Sequence, residues 1–389
     1  MAAVLCVALL PVACGEDGDE LRIYSSGEGD DLRAYQLALR DEGSDVGSYK
    51  LRLVALPSGV RQVGAPTKES LERNARRAAA DDRAIAYLGD ENSGNTVFSM
   101  PITNRAGLLQ ICASCSYVGL TREEGALPGD PERLYPTGRR HFLRIAPSDH
   151  VQAAALVEYV RREDVDRIAI LHDGQVYGRG LASLVAAAAP RAGVTLTDPP
   201  HLPRGDIRAE ARRAAARGAD ALMALTSPNV DNVTLVKRAA EAVPELLIFA
   251  PGSFTNDLIV RDLKDVGHQF RITGSPQPDP TNAPAAKFVD RFTATYGSRP
   301  SPPTFFAYEA MRRVIRAARA AGERADERAA VISAVFAAKE EDTVVGRYRF
   351  VRTGDSTLTR AGAYRIKSGE LSYVDALGAG SGGQGRGES

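Results

Sequence analysis

Short apolar runs alternate with amphipathic stretches along most of the chain. The runs are LRIYSS (21–26), LRLVAL (51–56), AIAYLGD (84–90), GLLQICAS (107–114), RIAILHD (167–173), ALMALTS (221–227), LLIFAPGS (246–253) and FRITGS (270–275). Each is the length of a strand. The stretches between them, such as DDLRAYQLALRDEG, TKESLERNARRAAADD, VQAAALVEYVRRED, GRGLASLVAAAAPRAG, IRAEARRAAARGAD and VTLVKRAAEAVPE, carry apolar residues at helical spacing. Strand followed by helix, repeated, predicts α/β architecture with parallel sheets covered by helices on both faces. Two such sets are visible, one before about residue 145 and one after it.

The last quarter breaks the alternation. AAKFVDRFTATYGSRPSPPTFFAYEAMRRVIRAARAAG reads as two helices around a proline-rich turn, with Pro302 and Pro303 where proline suits a helix start. GRYRFVRTGDST followed by AGAYRIKSGELSYV reads as a closing β-hairpin unit, and residues 377–389 as a disordered glycine-rich tail. In parallel α/β sheets ligands sit beyond the carboxyl ends of the strands. Those ends are SSGEGD, GDENSGNT, CASCSY, HDGQVYGRG, TSPNVD and PGSFTND. They offer hydroxyls and backbone amides near helix N-termini, chemistry for an anionic or strongly polar small ligand.

At 389 residues the chain is long enough for two such domains. Lys plus Arg equals Asp plus Glu, 49 each, so no net charge draws it to nucleic acid. Met1 to Ala13 is apolar and too short to span a bilayer; it suits a secretory signal. The LPVAC run resembles a bacterial lipoprotein signal, which implies a lipid anchor on Cys14 and a flexible tether over 14–20. That leaves Cys112 and Cys115 in the folded body, in an oxidising location. GxxxxGK[ST], HExxH and GxSxG are absent, and His172 before Asp173 reads as a strand-end histidine. Neither a metal, a cofactor nor an enzymatic activity is expected.

RIAILHDGQVYGRGLA, GDENSGNT, FVDRFTATYGSRPSPPTFFAYEAMRRVIRAA and GRYRFVRTGD, in that family's order over roughly residues 20–375, resemble type I periplasmic substrate-binding proteins. The similar branch is the leucine/isoleucine/valine-binding family of ABC importers. The resemblance implies two doubly wound lobes joined by three crossover segments, closing on ligand by a hinge motion. The crossovers would fall near Arg144–Pro147, Ser275–Pro278 and Thr343–Gly346. Lobe one would combine 20–145 with 279–342, and lobe two 146–274 with 346–376. The implied protein is an extracytoplasmic, monomeric lipoprotein serving a membrane permease. A ligand-sensing module of the same fold, and an enzyme on a doubly wound fold, are the rivals.

The family's carboxylate-binding positions match Ser93, Ser114 and Ser116, and its second-lobe tyrosine matches Tyr177. Gly94, Cys115, Ser227 and Ser253 in the same loops, and Phe305, complete the candidate ligand-binding set. Ser93 also suits ordinary helix capping, and Phe305 and Phe306 also suit a core. Two departures stand out. The acid that pairs a ligand's ammonium in amino-acid binders is Ser253 here, leaving Asp231 and Asp257 as candidates for that charge. The aromatic in the first strand's loop has no counterpart before Tyr35. For Cys112 and Cys115 a zinc site and a thioredoxin-type centre are disfavoured by the lack of further ligands and by the strand-end context. A disulfide, or two thiols lining a ligand loop, remains.

Overall fold

The computed structural model of the chain describes residues 20–56, 66–227, 230–277 and 281–378. The expected signal, Cys14 and the tail from 379 onward lie outside the described residues.

The first sheet comprises β1 (Glu20–Ser25), β2 (Asp45–Val46), β3 (Tyr49–Ala55), β4 (Ala84–Leu88), β5 (Leu109–Cys112) and β6 (Phe142–Arg144), in the order β2-β3-β1-β4-β5-β6. All neighbours are parallel except the β2–β3 hairpin. Central strands of such sheets are covered on both faces and read as unbroken apolar runs. β4, AIAYL, is buried at all five positions. Helices α1 (Gly29–Glu42), α2 (Lys68–Ala79) and α3 (Ser93–Arg105) connect these strands.

The chain then leaves for a second unit. It comprises α4 (Asp149–Arg162), β7 (Arg167–His172), α5 (Val176–Ala188), β8 (Thr195–Leu196), α6 (Ile207–Ala216), β9 (Ala221–Leu225), α7 (Val230–Ala242), β10 (Leu247–Ala250), α8 (Asp257–Asp262) and β11 (Phe270–Gly274). After Ser275 the chain returns. Helices α9 (Ala283–Tyr296), α10 (Pro302–Ala321) and α11 (Arg328–Ala337) pack on the first sheet, sharing one core with Ile23, Leu88, Ile111 and Leu143. Hairpin β12 (Glu341–Thr343) and β13 (Gly346–Tyr348) follows, and β14 (Ala361–Lys367) and β15 (Glu370–Leu377) complete the second sheet, ordered β15-β14-β11-β10-β9-β7-β8.

Three boundaries differ from the sequence expectation. Tyr348 and Phe350, ring centroids 5.4 Å apart, are buried in the first core, and the chain enters the second core only at Ala361. The third crossing is therefore residues 351–360, past Thr343–Gly346. The closing hairpin is β14–β15 alone, because β13 pairs with β12. Leu377 is no tail residue: it ends β15 fully buried.

At the first crossing, Gly354 lies directly against β6, and Arg144 N–H donates to its carbonyl at 3.0 Å. A side chain at Gly354, whose φ is +98°, would meet the Phe142 carbonyl oxygen at 2.1 Å. Only glycine fits that approach.

Candidate ligand-binding cleft

The first lobe's part of the site is built by the ends of β4 and β5. Asn92 caps α3, its Oδ1 accepting from the Asn95 amide at 2.9 Å. The amides of Ser93 and Gly94 fall in the first turn, where helix geometry provides no carbonyl partner. Ser93 Oγ accepts from the amides of Ser116 and Tyr117, both at 3.2 Å. This hydroxyl ties the α3 N-terminus to the β5 loop. With its lone pairs so used, its proton remains free to donate. Ser114 Oγ donates to the Glu91 carbonyl at 2.8 Å. The structure thus gathers Ser93, Gly94, Ser114 and Ser116 on one polar surface.

Cys112 and Cys115 form a disulfide with Cα atoms 5.6 Å apart. The Cys115 amide donates to Cys112 Sγ at 3.0 Å, and the Thr96 hydroxyl donates to Cys115 Sγ at 3.1 Å. Cys115 is fully buried, with sulfur and amide both committed. It shapes the loop, and no group of its side chain faces a ligand.

From the second lobe, Tyr177 at the start of α5 is buried, and its hydroxyl donates to Gln152 Oε1 at 3.1 Å. The same oxygen accepts from the Gly252 amide at 3.0 Å. Gln152 Nε2 donates to Asp149 Oδ1 at 2.9 Å, and the Asp149 amide donates to the Ser116 carbonyl at 2.8 Å. A polar chain therefore runs Ser116–Asp149–Gln152–Tyr177 from one lobe to the other. Ser253 lies beside Tyr177, with Oγ donating to the Thr226 carbonyl at 2.9 Å. The Ser227 amide donates to Asp173 Oδ2 at 2.6 Å. Asp173 is a brace: its Oδ1 also takes the Gln175 amide at 3.0 Å.

Phe305 lies elsewhere. It is buried in the first core, edge-on to Phe288 at 4.8 Å. Asp231 and Asp257 are exposed on the surfaces of α7 and α8.

Electrostatically the cleft is acid-lined. Burial pushes Asp149 up to about 6, tempered by the Ser116 hydroxyl, the Arg144 charge and the Gln152 amide. Half-buried Asp31, in the first turn of α1, is pushed up to about 7 by burial and then by the charges of Glu91 and Asp30. Burial raises the Tyr177 phenol, and the Asp149 charge adds to it. Sequence reasoning missed Asp149 and Gln152. Their three-residue spacing at a helix start places them on one face, a usable but unspecific signal. Among the described residues, no group of three His, Cys, Asp or Glu side chains is placed to hold a metal. No helix among them is long and apolar enough to cross a membrane.

A protein called Leu/Ile/Val-binding protein homolog 3 from Brucella melitensis is 23% identical over 319 residues, 75% of this chain and 80% of its own length. An ABC transporter substrate-binding protein from Desulfitobacterium hafniense, solved in complex with Leu, superposes with TM-score 0.74 at 20% identity, covering 92% of this chain and 99% of that one. A solute-binding protein from R. palustris in complex with benzoate gives TM-score 0.74 at 14% identity, covering 92% and 96%. The model of the family described as periplasmic binding protein matches residues 66–370. Two α/β lobes meeting at a polar seam, and this match over most of the chain, place it: the chain belongs to the periplasmic binding proteins, a family of solute binders rather than enzymes.

Proposed function

We propose that this protein is the extracytoplasmic solute receptor of an ABC importer, holding a small carboxylate of the amino-acid class between its lobes and delivering it to a membrane permease. The observation that carries the reading is the Ser93 hydroxyl, which joins the α3 N-terminus to the Ser114–Ser116 loop. It creates one cluster of amide and hydroxyl donors at a helix N-terminus, where an anion is stabilised. Ser93, Gly94 and Ser116 take the carboxylate, with Ser114 on the same loop. Tyr177, Ser253 and Ser227 close over it from the second lobe, so that ligand contacts to both lobes favour the closed state. A monomer tethered by lipid on Cys14 suits delivery at the outer face of the membrane. The leucine complex of the D. hafniense relative supports the ligand class.

Thermal melting of the dialysed protein against amino acids, their amides and simple carboxylates tests this. A ligand at one hundred times its Kd adds about 2.7 kcal/mol to stability. If no solute of these classes raises the Tm, the proposal falls. Mass spectrometry of the mature N-terminus tests the anchor: an unmodified Cys14 removes it.

A further inference from the structure

Helix α5 opens VYGRGL, with glycines at 178 and 180, although glycine weakens a helix. The two have different reasons. Gly178 is hemmed in by its own lobe: a Cβ there would meet the Leu225 carbonyl oxygen at 2.4 Å. Gly180 is hemmed in by the other lobe: a Cβ there would meet Tyr117 Cδ2 and Cε2, both at 2.7 Å. The Tyr117 ring thus lies directly on the α5 backbone. It is fully buried and fixed from its own side, its hydroxyl donating to Asp130 Oδ2 at 2.8 Å and accepting from the Leu127 amide at 2.8 Å.

Residues spaced by four share a helix face, and α5 has two such apolar stripes. Tyr177, Leu181 and Val185 enter the second lobe's core. Val176, Gly180 and Leu184 form the neighbouring stripe, and Val176 and Leu184 pack on a first-lobe cluster that contains Tyr117, Leu120 and Leu134. The seam continues at Gly125, where a Cβ would meet Leu184 Cδ2 at 2.6 Å, and reaches α4, where His150 Nε2 lies 3.2 Å from the Glu124 carbonyl oxygen. Apolar surface removed from water here favours the lobes being together, whatever lies between them. None of these contacts runs through a ligand-binding hydroxyl. Tyr117 is the link to the binding loop, because its amide donates to Ser93 Oγ and its carbonyl accepts from Arg144.

We propose that the stripe Val176–Gly180–Leu184, seated on Tyr117 and the loop after it, is an interlobe latch that adds closing free energy of its own, so that Gly180 sets how tightly the protein holds a ligand it never touches. The part of this that concerns affinity rests on the receptor reading above. A ligand that binds the closed arrangement is held more weakly when that arrangement is less populated. Gly180 is therefore a positioning residue: its missing side chain lets α5 approach Tyr117, and with it Tyr177 approach the first lobe.

The test combines small-angle scattering of the ligand-free, full-length protein with titration calorimetry against the twenty standard amino acids. Gly180→Ala inserts a methyl group into the seam, Leu184→Ala removes part of it, and Ser183→Ala changes the exposed side of the same helix. Alanine favours a helix over glycine, so Gly180→Ala does not weaken α5 itself. The expected result is a larger radius of gyration in Gly180→Ala and Leu184→Ala than in the wild type, with Ser183→Ala unchanged. Any amino acid bound by the wild type should bind about 10-fold more weakly to the first two variants and equally to the third. An unchanged radius in both seam variants overturns the inference, and an affinity loss beside it would mean that α5 acts through Tyr177 alone. A larger radius with unchanged affinity also overturns it. If the wild type binds no amino acid, the receptor reading falls, while the scattering still decides whether the seam holds the lobes together.

Discussion

Arg144 and Asp355, 211 residues apart in sequence, form a buried ion pair with Nε 2.7 Å from Oδ1. Arg144 ends β6, at the first crossing between lobes, and Asp355 sits in the third. The pair is well satisfied: Asp355 also accepts from Thr121 at 2.6 Å, from Thr353 at 3.1 Å and from Arg122, and Arg144 donates to the Tyr117 carbonyl at 2.7 Å. Two crossings and the loop after Ser116 are therefore one unit, and the base of the cleft is rigid where the binding loop begins. Removing one member leaves the other charge buried. Asp355→Ala should cost about 3–5 kcal/mol in denaturant unfolding. A loss below about 1 kcal/mol would mean that water enters the site freely.

The same pair sets an acid limit. Although burial alone would raise it, Arg144 and the bonds from Thr121 and Arg122 hold the Asp355 carboxyl down at about 2, against an ordinary value near 3.8. A carboxyl with a lowered folded pKa stabilises the fold above its unfolded pKa. That contribution disappears as pH falls from about 4 through about 2. The shift corresponds to about 2 kcal/mol. Melting curves between pH 5 and pH 2 should show this loss in the wild type and a flatter acid limb in Asp355→Asn. Parallel limbs in the two proteins would contradict the assignment.

How legible was this in the sequence? AIAYL and ALMAL announce β4 and β9 because both faces of those strands are covered, and all their residues are buried. β6 gives no such signal: FLR is three residues long and ends in an arginine whose burial depends on Asp355. The third crossing was misplaced for a related reason. RYRFV has strand-like alternation, but nothing local says that Tyr348 and Phe350 belong to the first core. For the candidate cleft, Ser93 and Ser116 were singled out through family pattern. Asp149 was not, because its bonds to Gln152 and to the Ser116 carbonyl join segments that only the fold brings together.

Ser93 and Ser116 should separate by the way they fail. Ser93→Ala removes the acceptor of two buried amides, so it should lower stability by about 1–3 kcal/mol as well as weaken a carboxylate ligand by a similar amount. Ser116→Ala should weaken the ligand by about 1–3 kcal/mol with a smaller loss in unfolding than Ser93→Ala, because its amide and carbonyl still hold the loop and only the Asp149 carboxyl loses a hydroxyl partner. Calorimetry beside urea melts reads both, and unchanged affinity in the two variants would remove them from the site.

The disulfide should matter more for stability than for recognition. It closes a short loop, and its loss in Cys112→Ser with Cys115→Ser should cost about 2 kcal/mol of stability. The Ser93 hydroxyl keeps the Ser116 and Tyr117 amides in place independently of it. Ligand affinity should therefore fall less than about 3-fold, well short of the Ser93→Ala effect. A larger loss would show that the sulfur bridge, and not Ser93, sets the loop.

Phe305 had two readings in the sequence, a core ring and a cleft contact. It enters α10 behind Pro302 and Pro303 and is buried against Phe288 at 4.8 Å. Phe288 in turn contacts Tyr308 at 4.4 Å and Phe292 at 5.6 Å, so the ring is one member of an aromatic cluster joining α9 to α10. Truncation leaves a cavity that rigid helices do not refill, and Phe305→Ala should cost about 3–5 kcal/mol. Measured on dialysed protein, unfolding should shift by that amount while the affinity of any amino-acid ligand stays within about 3-fold of wild type. The reverse outcome, an affinity loss above about 10-fold with stability nearly unchanged, would place the ring in the cleft.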